Sequence, residues 1–161
     1  MKFIKESIPY LIIIVVVVAI RTFIITPIVV QGESMVPTLD GGEVMLLKKI
    51  DTSYERFDIV VVNKSVEGDN LIKRVIGLPG ETIRCKNNNI YINDEIIDDP
   101  YGKGDTGNFQ EITLGDDEYF LMGDNRTVSL DSRILGVIKK DEIEGTVGIV
   151  LYPFNKFGKV D

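Results

Sequence analysis

The hydrophobic pattern divides the chain into one long aliphatic segment and a series of short runs after it. Residues 8–20 read IPYLIIIVVVVAI, thirteen positions without a charged side chain, and a second apolar run covers residues 23–30. A helix over residues 7–25 would be about 28 Å long, close to the hydrocarbon thickness of a bilayer. The pattern predicts one N-terminal transmembrane helix, with residues 1–27 forming a cytoplasmic tip and membrane anchor.

Two other interpretations of the aliphatic segment compete with an uncleaved anchor. A signal peptide has an apolar core of this length, but small residues should follow it, whereas here Arg21, Phe23 and Pro27 do. A buried helix of a soluble protein should have a polar face, yet eleven of the thirteen positions are aliphatic. Lys2 and Lys5 precede the segment, so the positive-inside rule predicts a cytoplasmic N-terminus and an extracytoplasmic domain at the plasma membrane.

From residue 28 onward the pattern changes to short β-branched runs separated by Gly, Pro, Asn and Asp, which favour turns. Asn87, Asn88 and Asn89 lie between two of these runs and predict a hairpin loop. Residues 98–110 have no periodicity and are predicted to form a loop. This spacing predicts a mainly β domain over residues 28–161, built as an antiparallel sheet or barrel. The predicted strands are residues 44–47, 58–62, 71–78, 83–86, 90–92, 119–122 and 147–151.

Composition limits the chemistry that the domain can perform. The 161 residues form one domain, or two at most, and they include no histidine. This excludes Ser-His and Cys-His nucleophiles and disfavours zinc, so we expect no cofactor and no metal. Cys85 is the single cysteine and is expected to be a buried thiol in a strand. The net charge of −7, from 18 basic and 25 acidic residues, argues against nucleic acid as a partner.

A serine and a lysine lie in surroundings that suit a nucleophile and its base. Ser34 occupies a short turn, residues 32–39, just after the aliphatic segment. Lys73 lies within the apolar stretch 71–76, where burial would disfavour its charged form. Arg74 cannot act as a base because a guanidinium stays protonated. Each residue also has an ordinary alternative interpretation. Ser34 could be a simple turn residue, and Lys73 could be part of a Lys-Arg pair at a strand edge with both charges in solvent.

A third polar cluster, residues 123–133, follows the predicted strand 119–122. Its Ser129 could donate or accept a hydrogen bond for a buried amine. Asp131 and Arg133 could form an ion pair if the backbone bends between them. The alternative is a surface hairpin loop, whose ion pairs contribute little to stability.

Taken in order, the motifs resemble those of bacterial type I signal peptidases, in the short form typical of Gram-positive bacteria. They are the aliphatic segment, SMVPTL at 34–39, FDIVVV at 57–62, IKRVIGLPGE at 72–81 and GDNRTVSLDSR at 123–133. The resemblance implies a membrane-bound serine endopeptidase that removes signal peptides from exported preproteins by Ser-Lys dyad acyl-enzyme chemistry. The implied partners are those signal peptides and the lipid bilayer. The family fold is largely antiparallel β, and the short chain leaves room only for a small cap or loop region, residues 86–110.

The resemblance also implies a role for each matched residue. Ser34 is the implied nucleophile, Lys73 the general base, and Ser129 the hydroxyl that orients the lysine amine. Asp131 and Arg133 are the implied structural pair that braces the site. A cleft for small side chains, at the first and third residues before the cut, is implied to be lined by Ile28, Val30, Met35, Leu39, Met45, Leu71 and Ile72.

One position departs from the pattern of some family members, which carry an oxyanion-hole serine where this chain has Gly32. The hole is therefore expected to use backbone N–H groups, including that of Ser34. Two rival functions are compatible with parts of this pattern. A self-cleaving Ser-Lys regulator on the same fold needs a DNA-binding head, but only 33 residues precede Ser34. A catalytically silent, membrane-tethered interaction domain would be expected to lack Ser34 or Lys73.

Overall fold

The computed structural model of the protein describes residues 2–51, 53–66 and 69–160. Within these residues a long helix, α1 (Lys2–Phe23), precedes a β domain that also contains a short helix, α2 (Ser132–Leu135). Two 3₁₀ turns cover Lys140–Glu142 and Phe154–Lys156. The strands are β1 (Ile25–Val29), β2 (Val44–Lys48), β3 (Ile59–Val66), β4 (Asp69–Gly77), β5 (Thr82–Lys86), β6 (Asn89–Ile92), β7 (Glu95–Ile96), β8 (Phe109–Thr113), β9 (Glu118–Met122), β10 (Ile138–Lys139), β11 (Ile143–Tyr152) and β12 (Gly158–Lys159).

The strands form two antiparallel sheets. The main sheet has the order β1-β2-β11-β3-β4-β9-β10, with β12 paired to β11, and the second sheet has the order β7-β6-β5-β8. The predicted mainly β, antiparallel fold class is confirmed, and each predicted strand overlaps an observed one. Five strands were not predicted. Four of them are short or irregularly patterned, and the fifth, β1, contains Pro27, which an edge strand tolerates because its outer side needs no ladder donor.

The helix α1 ends at Phe23, two residues before the predicted end, and only Ile24 separates it from β1. The backbone N–H of Ile24 still donates to the carbonyl of Ile20 at 2.9 Å, so the helical turn is completed before the chain extends. Among the described residues, no helix combines the length and the apolar character that crossing a membrane requires.

The predicted hairpin between β5 and β6 is confirmed. Lys86 pairs with Asn89 across a two-residue turn, and Asn87 and Asn88 both adopt positive φ angles of 52° and 63°. Such angles at both central positions match the twist of an antiparallel pair, and Asn tolerates them better than most residues do. The predicted cap region, 86–110, lies within the second sheet and the irregular segment that follows β7.

The buried side chains form three clusters. The first lies beneath the loop between β1 and β2 and includes Met35 and Leu39 of that loop. The second includes residues of β3, β4 and β9. The third joins the two sheets, where the rings of Phe109 and Phe120 stack at 5.2 Å and Cys85 is buried as expected. Side chains from both sheets therefore pack together in this third cluster, beside the polar residues that follow β9.

Candidate active site

Ser34 and Lys73, which are 39 positions apart in sequence, meet through their side chains. Lys73 Nζ donates a hydrogen bond to Ser34 Oγ at 2.8 Å and another to the carbonyl of Ile72 at 2.9 Å. Only 4% of the Lys73 surface is exposed, and Ser34 is half-buried. A neutral amine in the same position could accept the hydroxyl proton instead, as a general base does.

The environment of Lys73 favours its neutral form. Burial lowers the pKa of the amine to about 8, although the negative charges of Asp131 and Asp124 act in the opposite direction. A lysine in water has a pKa of about 10.4 and would be almost fully protonated at neutral pH. With a pKa near 8, a useful fraction of the Lys73 amine is free to take a proton.

The turn that carries Ser34 is fixed from two sides. Above it, the backbone N–H of Asn125 donates to the carbonyl of Ser34 at 3.0 Å. Below it, Met35 and Leu39 are buried in the first cluster, with 2% and 0% of their surfaces exposed. The turn also closes on itself, because Leu39 N donates to Met35 O at 3.0 Å. The Ser34 hydroxyl therefore belongs to a turn that is held both by hydrophobic packing and by a hydrogen bond from Asn125.

Asp131 and Arg133 form a bidentate ion pair, because the backbone bends between them. Arg133 Nε donates to one carboxylate oxygen at 2.8 Å, and Nη2 donates to the other at 2.9 Å. Asp131 also caps α2 and accepts a hydrogen bond from the backbone N–H of Gly123 at 3.0 Å. Burial raises the pKa of the Asp131 carboxyl, but the hydrogen bonds from Arg133 and Gly123 outweigh it and lower that pKa overall. The pair thus holds an ionised carboxylate close to the lysine.

Ser129 is buried against Gly123, with 5% of its surface exposed. Its Oγ makes no hydrogen bond of normal geometry to any described residue, although it lies near enough to Asp131 to help lower the pKa of that carboxyl. A Cβ on Gly123 would lie 2.2 Å from Ser129 Oγ and 2.5 Å from the carbonyl oxygen of Ser34. The missing side chain therefore lets both groups lie directly against the Gly123 backbone. The hydrogen bonds of Lys73 go to other groups, so the role expected for Ser129 stays a prediction.

The residues predicted to line the substrate cleft divide between two of the hydrophobic clusters. Six of them belong to the first cluster or pack against it, and Leu71 packs against the second. The six are Ile28, Val30, Met35, Leu39, Met45 and Ile72. Met35 and Leu39 belong to the Ser34 turn, and the other four pack in the same cluster as these two; Ile28 is partly exposed.

Comparisons with known proteins agree with this geometry. The profile of a family described as "Signal peptidase, peptidase S26" matches residues 3–152. Signal peptidase I S of Bacillus subtilis (strain 168) is 42% identical over 166 residues, which cover 92% of this chain and 88% of the relative. Signal peptidase I of Bacillus licheniformis is 39% identical over 167 residues, covering 93% and 90%. The chain belongs to the signal peptidase family, peptidase S26.

A solved structure extends the similarity to the fold. The crystal structure of a signal peptidase I from Enterococcus faecalis V583 is 31% identical, with a TM-score of 0.50. The match covers 59% of this chain and 97% of the other. The family resemblance read from the motifs is confirmed, and with it the assignment of the chain as a serine protease of the signal peptidase type.

This signal peptidase contains a second buried ion pair, between Arg74 and Asp124, that sequence reasoning missed. Arg74 donates from Nε and Nη2 to the two carboxylate oxygens at 2.8 Å each, and both side chains are fully buried. Its Nη1 donates to the carbonyl of Phe57 at 2.8 Å, and Nη2 reaches Thr38 Oγ1 at 3.4 Å. The ring of Tyr101 lies 3.5 Å from the guanidinium carbon. Since Thr38 belongs to the Ser34 turn, the pair also connects β4 to that turn.

We expect Asp124→Asn to lower the free energy of unfolding by about 3–5 kcal/mol. The reason is that the change leaves the fully buried guanidinium of Arg74 without its counter-charge. The matched control is Asp94→Asn. Asp94 pairs with Arg84 but is 79% exposed, so the effect there should stay within about 0.5 kcal/mol. Urea denaturation of the purified variants measures both values, and equal losses at the two positions would contradict the importance given to the buried pair.

Proposed function

We propose that the chain removes signal peptides from exported preproteins, with Ser34 as the nucleophile and Lys73 as the general base. The observation that carries the proposal is the buried amine of Lys73, which has a pKa of about 8 and lies 2.8 Å from Ser34 Oγ. Because the chain contains no histidine, the hydroxyl needs a base other than imidazole, and this amine is in hydrogen-bond reach of it.

The reaction then proceeds in two proton-coupled steps. The neutral Lys73 amine takes the Ser34 proton while Oγ attacks the carbonyl carbon of the scissile bond. The protonated amine next gives its proton to the departing amine of the mature protein, leaving the signal peptide esterified to Ser34. In the second step Lys73 takes a proton from a water molecule as the water oxygen attacks the ester carbonyl carbon. The bond from that carbon to Ser34 Oγ then breaks, and Lys73 returns the proton to Oγ, which releases the signal peptide with a free carboxyl terminus and restores the dyad.

The developing negative charge on the substrate carbonyl needs hydrogen-bond donors. Gly32 has no side chain, so we assign this role to backbone N–H groups, including that of Ser34. The N–H groups of a turn held by Asn125 and by buried Met35 are fixed before the substrate arrives. Such preorganised donors stabilise the transition state without reorganising during the reaction.

The polar cluster after β9 supports the dyad. We assign Ser129 to orienting the Lys73 amine, since its buried hydroxyl lacks a hydrogen-bond partner of normal geometry among the described residues. Asp131 and Arg133 brace the cluster, because their pair also binds the backbone of Gly123 and the carbonyl of Thr106. Both assignments follow from the implied roles and are supported by these contacts.

The proposed cleft lies along β1 and the Ser34 turn. Its floor consists of the first hydrophobic cluster, in which Val30 and Met45 have 2% and 0% of their surfaces exposed. Ile28 is partly exposed beside this floor, whereas Leu71 packs into the other cluster and contributes less directly. A shallow apolar floor of this kind suits small side chains at the residues before the cut.

We further propose that residues 1–27 anchor the enzyme in the plasma membrane, with the N-terminus cytoplasmic and the domain 28–161 outside. Every side chain from residue 10 to residue 18 is between 48% and 70% exposed, although all but Tyr10 are Leu, Ile or Val. These residues cover all sides of α1. An aliphatic surface of this extent is unfavourable in water and matches the interior of a lipid bilayer.

Ser34→Ala and Lys73→Ala should each abolish cleavage of a preprotein peptide, and the double variant should be no worse than either single one. The two residues act as one unit, so their effects are not additive. Lys73→Arg should also be inactive, because a guanidinium keeps its proton. Single-cut product formation, followed by mass spectrometry, measures these rates. Near-normal turnover by Lys73→Arg would refute the general-base role.

Ser129→Ala should reduce turnover by about ten- to a thousandfold, less than loss of the dyad, because the hydroxyl orients the base but does not itself take the proton. The matched control is Ser132→Ala, whose Oγ accepts a hydrogen bond from the backbone of Leu121 and lies outside the dyad. Comparing the initial rates of the two variants separates the roles. Unchanged turnover in Ser129→Ala would remove this residue from the site.

Activity should rise with pH through neutrality and level off above about pH 8. Lys73 must be neutral to act as a base, and its pKa of about 8 means that each unit below that pH reduces the neutral fraction about tenfold. The measurement is kcat/KM between pH 5.5 and 10. A rising limb centred near the pKa of a free lysine, about 10.4, would show that burial does not tune this amine.

Protease added outside intact, wall-free cells should digest the domain and leave a tag on the N-terminus protected. The basic residues before the aliphatic segment should keep that terminus in the cytoplasm. A variant that lacks residues 1–23 serves as the control and should move from the membrane fraction to the soluble fraction. Full protection of the domain in intact cells would reverse the proposed orientation.

A further inference from the structure

The loop that carries Ser34 is closed at its base by contacts between its two ends. Val30 N donates to the carbonyl of Glu43 at 2.8 Å, and Gly42 N donates to the carbonyl of Val30 at 2.9 Å. The Glu43 side chain lies at this closure, where its Oε2 accepts a hydrogen bond from Asp40 N at 3.0 Å. Only 3% of Glu43 is exposed. A carboxylate buried to this extent needs further partners to offset its lost hydration.

The partner comes from a distant part of the chain. Lys156 Nζ donates to Glu43 Oε1 at 2.6 Å and also to a carboxylate oxygen of Asp40. These two hydrogen bonds raise the pKa of Lys156, so its amine stays charged over the physiological range. Lys156 ends the 3₁₀ turn that follows β11, and 113 positions separate it from Glu43.

The residues that follow Lys156 also pack against the buried side chains of the Ser34 loop. The strand β12 pairs with β11, and Val160 N donates to the carbonyl of Gly148 at 2.9 Å. The Val160 side chain packs against the cluster that contains Met35 and Leu39 of the Ser34 loop. Residues 153–160 therefore contact both the base and the underside of the loop. They lie beyond residue 152, where the family match ends.

We propose that residues 153–160 form a clasp that positions Ser34 for attack, chiefly through the Lys156–Glu43 ion pair. This inference rests on the proposed function, in which Ser34 is the nucleophile. The clasp residues act through the backbone of the loop. Because rates of bond formation depend steeply on the distance between nucleophile and carbonyl, a shift of about 1 Å in the loop can reduce turnover by about a hundredfold.

The first test compares three lysine variants of the full chain on a preprotein peptide. Lys156→Met should lower kcat by about tenfold or more, because the loop that carries the proposed nucleophile is displaced. KM should change less, because Ile28, Met45 and Ile72 of the proposed cleft lie on strands outside that loop. Lys156→Arg keeps the charge and should recover most of the loss. The control is Lys86→Met, an exposed lysine on the second sheet, which should behave as the parent. Assays are run well below the Tm of every variant, so that each is fully folded.

A second test uses the other half of the pair. Glu43→Gln should reproduce the fall in kcat, and Glu43→Gln combined with Lys156→Met should be no worse than the more severe single variant. If Lys156→Met does not fold, the kcat of Glu43→Gln alone tests whether the ion pair positions Ser34. Additive losses, or a lower Tm with kcat unchanged in both single variants, would overturn the clasp and leave the segment with a purely structural role.

Ser34→Ala separates this inference from the proposed function. If Ser34→Ala retains activity, the nucleophile assignment fails, whatever the clasp variants do. If Ser34→Ala is inactive while Lys156→Met and Glu43→Gln turn over normally, the nucleophile stands and the clasp is wrong.

Discussion

The structure depends on the burial of two adjacent basic side chains in β4. The charge of Arg74 is neutralised by an ion pair, whereas the charged form of Lys73 is disfavoured by burial. Arg74 cannot lose its proton, so its burial requires a full counter-charge, and Asp124 supplies one through two hydrogen bonds of 2.8 Å. Within the described part of the chain, Lys73 donates hydrogen bonds to two neutral groups, the Ser34 hydroxyl and the Ile72 carbonyl. Desolvation therefore outweighs the negative charges of Asp131 and Asp124, and the pKa of the Lys73 amine is lowered. One strand thus presents a permanent cation and, beside it, the amine that we propose as the base.

The Arg74–Asp124 ion pair is also connected to the turn that carries Ser34, the proposed nucleophile. Asp124 and Asn125 are neighbours, and Asn125 N binds the Ser34 carbonyl, while Arg74 reaches Thr38 of the same turn. The contacts that stabilise the buried guanidinium and those that hold the serine therefore belong to one network. A change in the ion pair should therefore alter the position of Ser34, the proposed nucleophile, through the backbone of Asn125 and the Thr38 side chain.

Much of the fold and the contact between Ser34 and Lys73 could be predicted from the sequence, because β-branched runs mark the strands and both residues stand in recognisable motifs. The strand β1 could not, since Pro27 and the preceding apolar run favoured a helix that ends later. The Arg74–Asp124 pair was missed because alternation along β4 does not tell which face is inward. The Lys156–Glu43 pair joins residues 113 positions apart, and no periodicity connects them.

The burial of the Lys73 amine has a consequence for chemical modification. Reagents that alkylate imidazole have no target in a chain without histidine. Acylating reagents directed at amines react with the neutral form, which Lys73 supplies in larger proportion than a free lysine does, yet only 4% of its surface is accessible. Bulky acylating reagents will therefore label exposed lysines such as Lys86 first. Labels small enough to enter beside Ser34 would be the ones that reach the reactive amine.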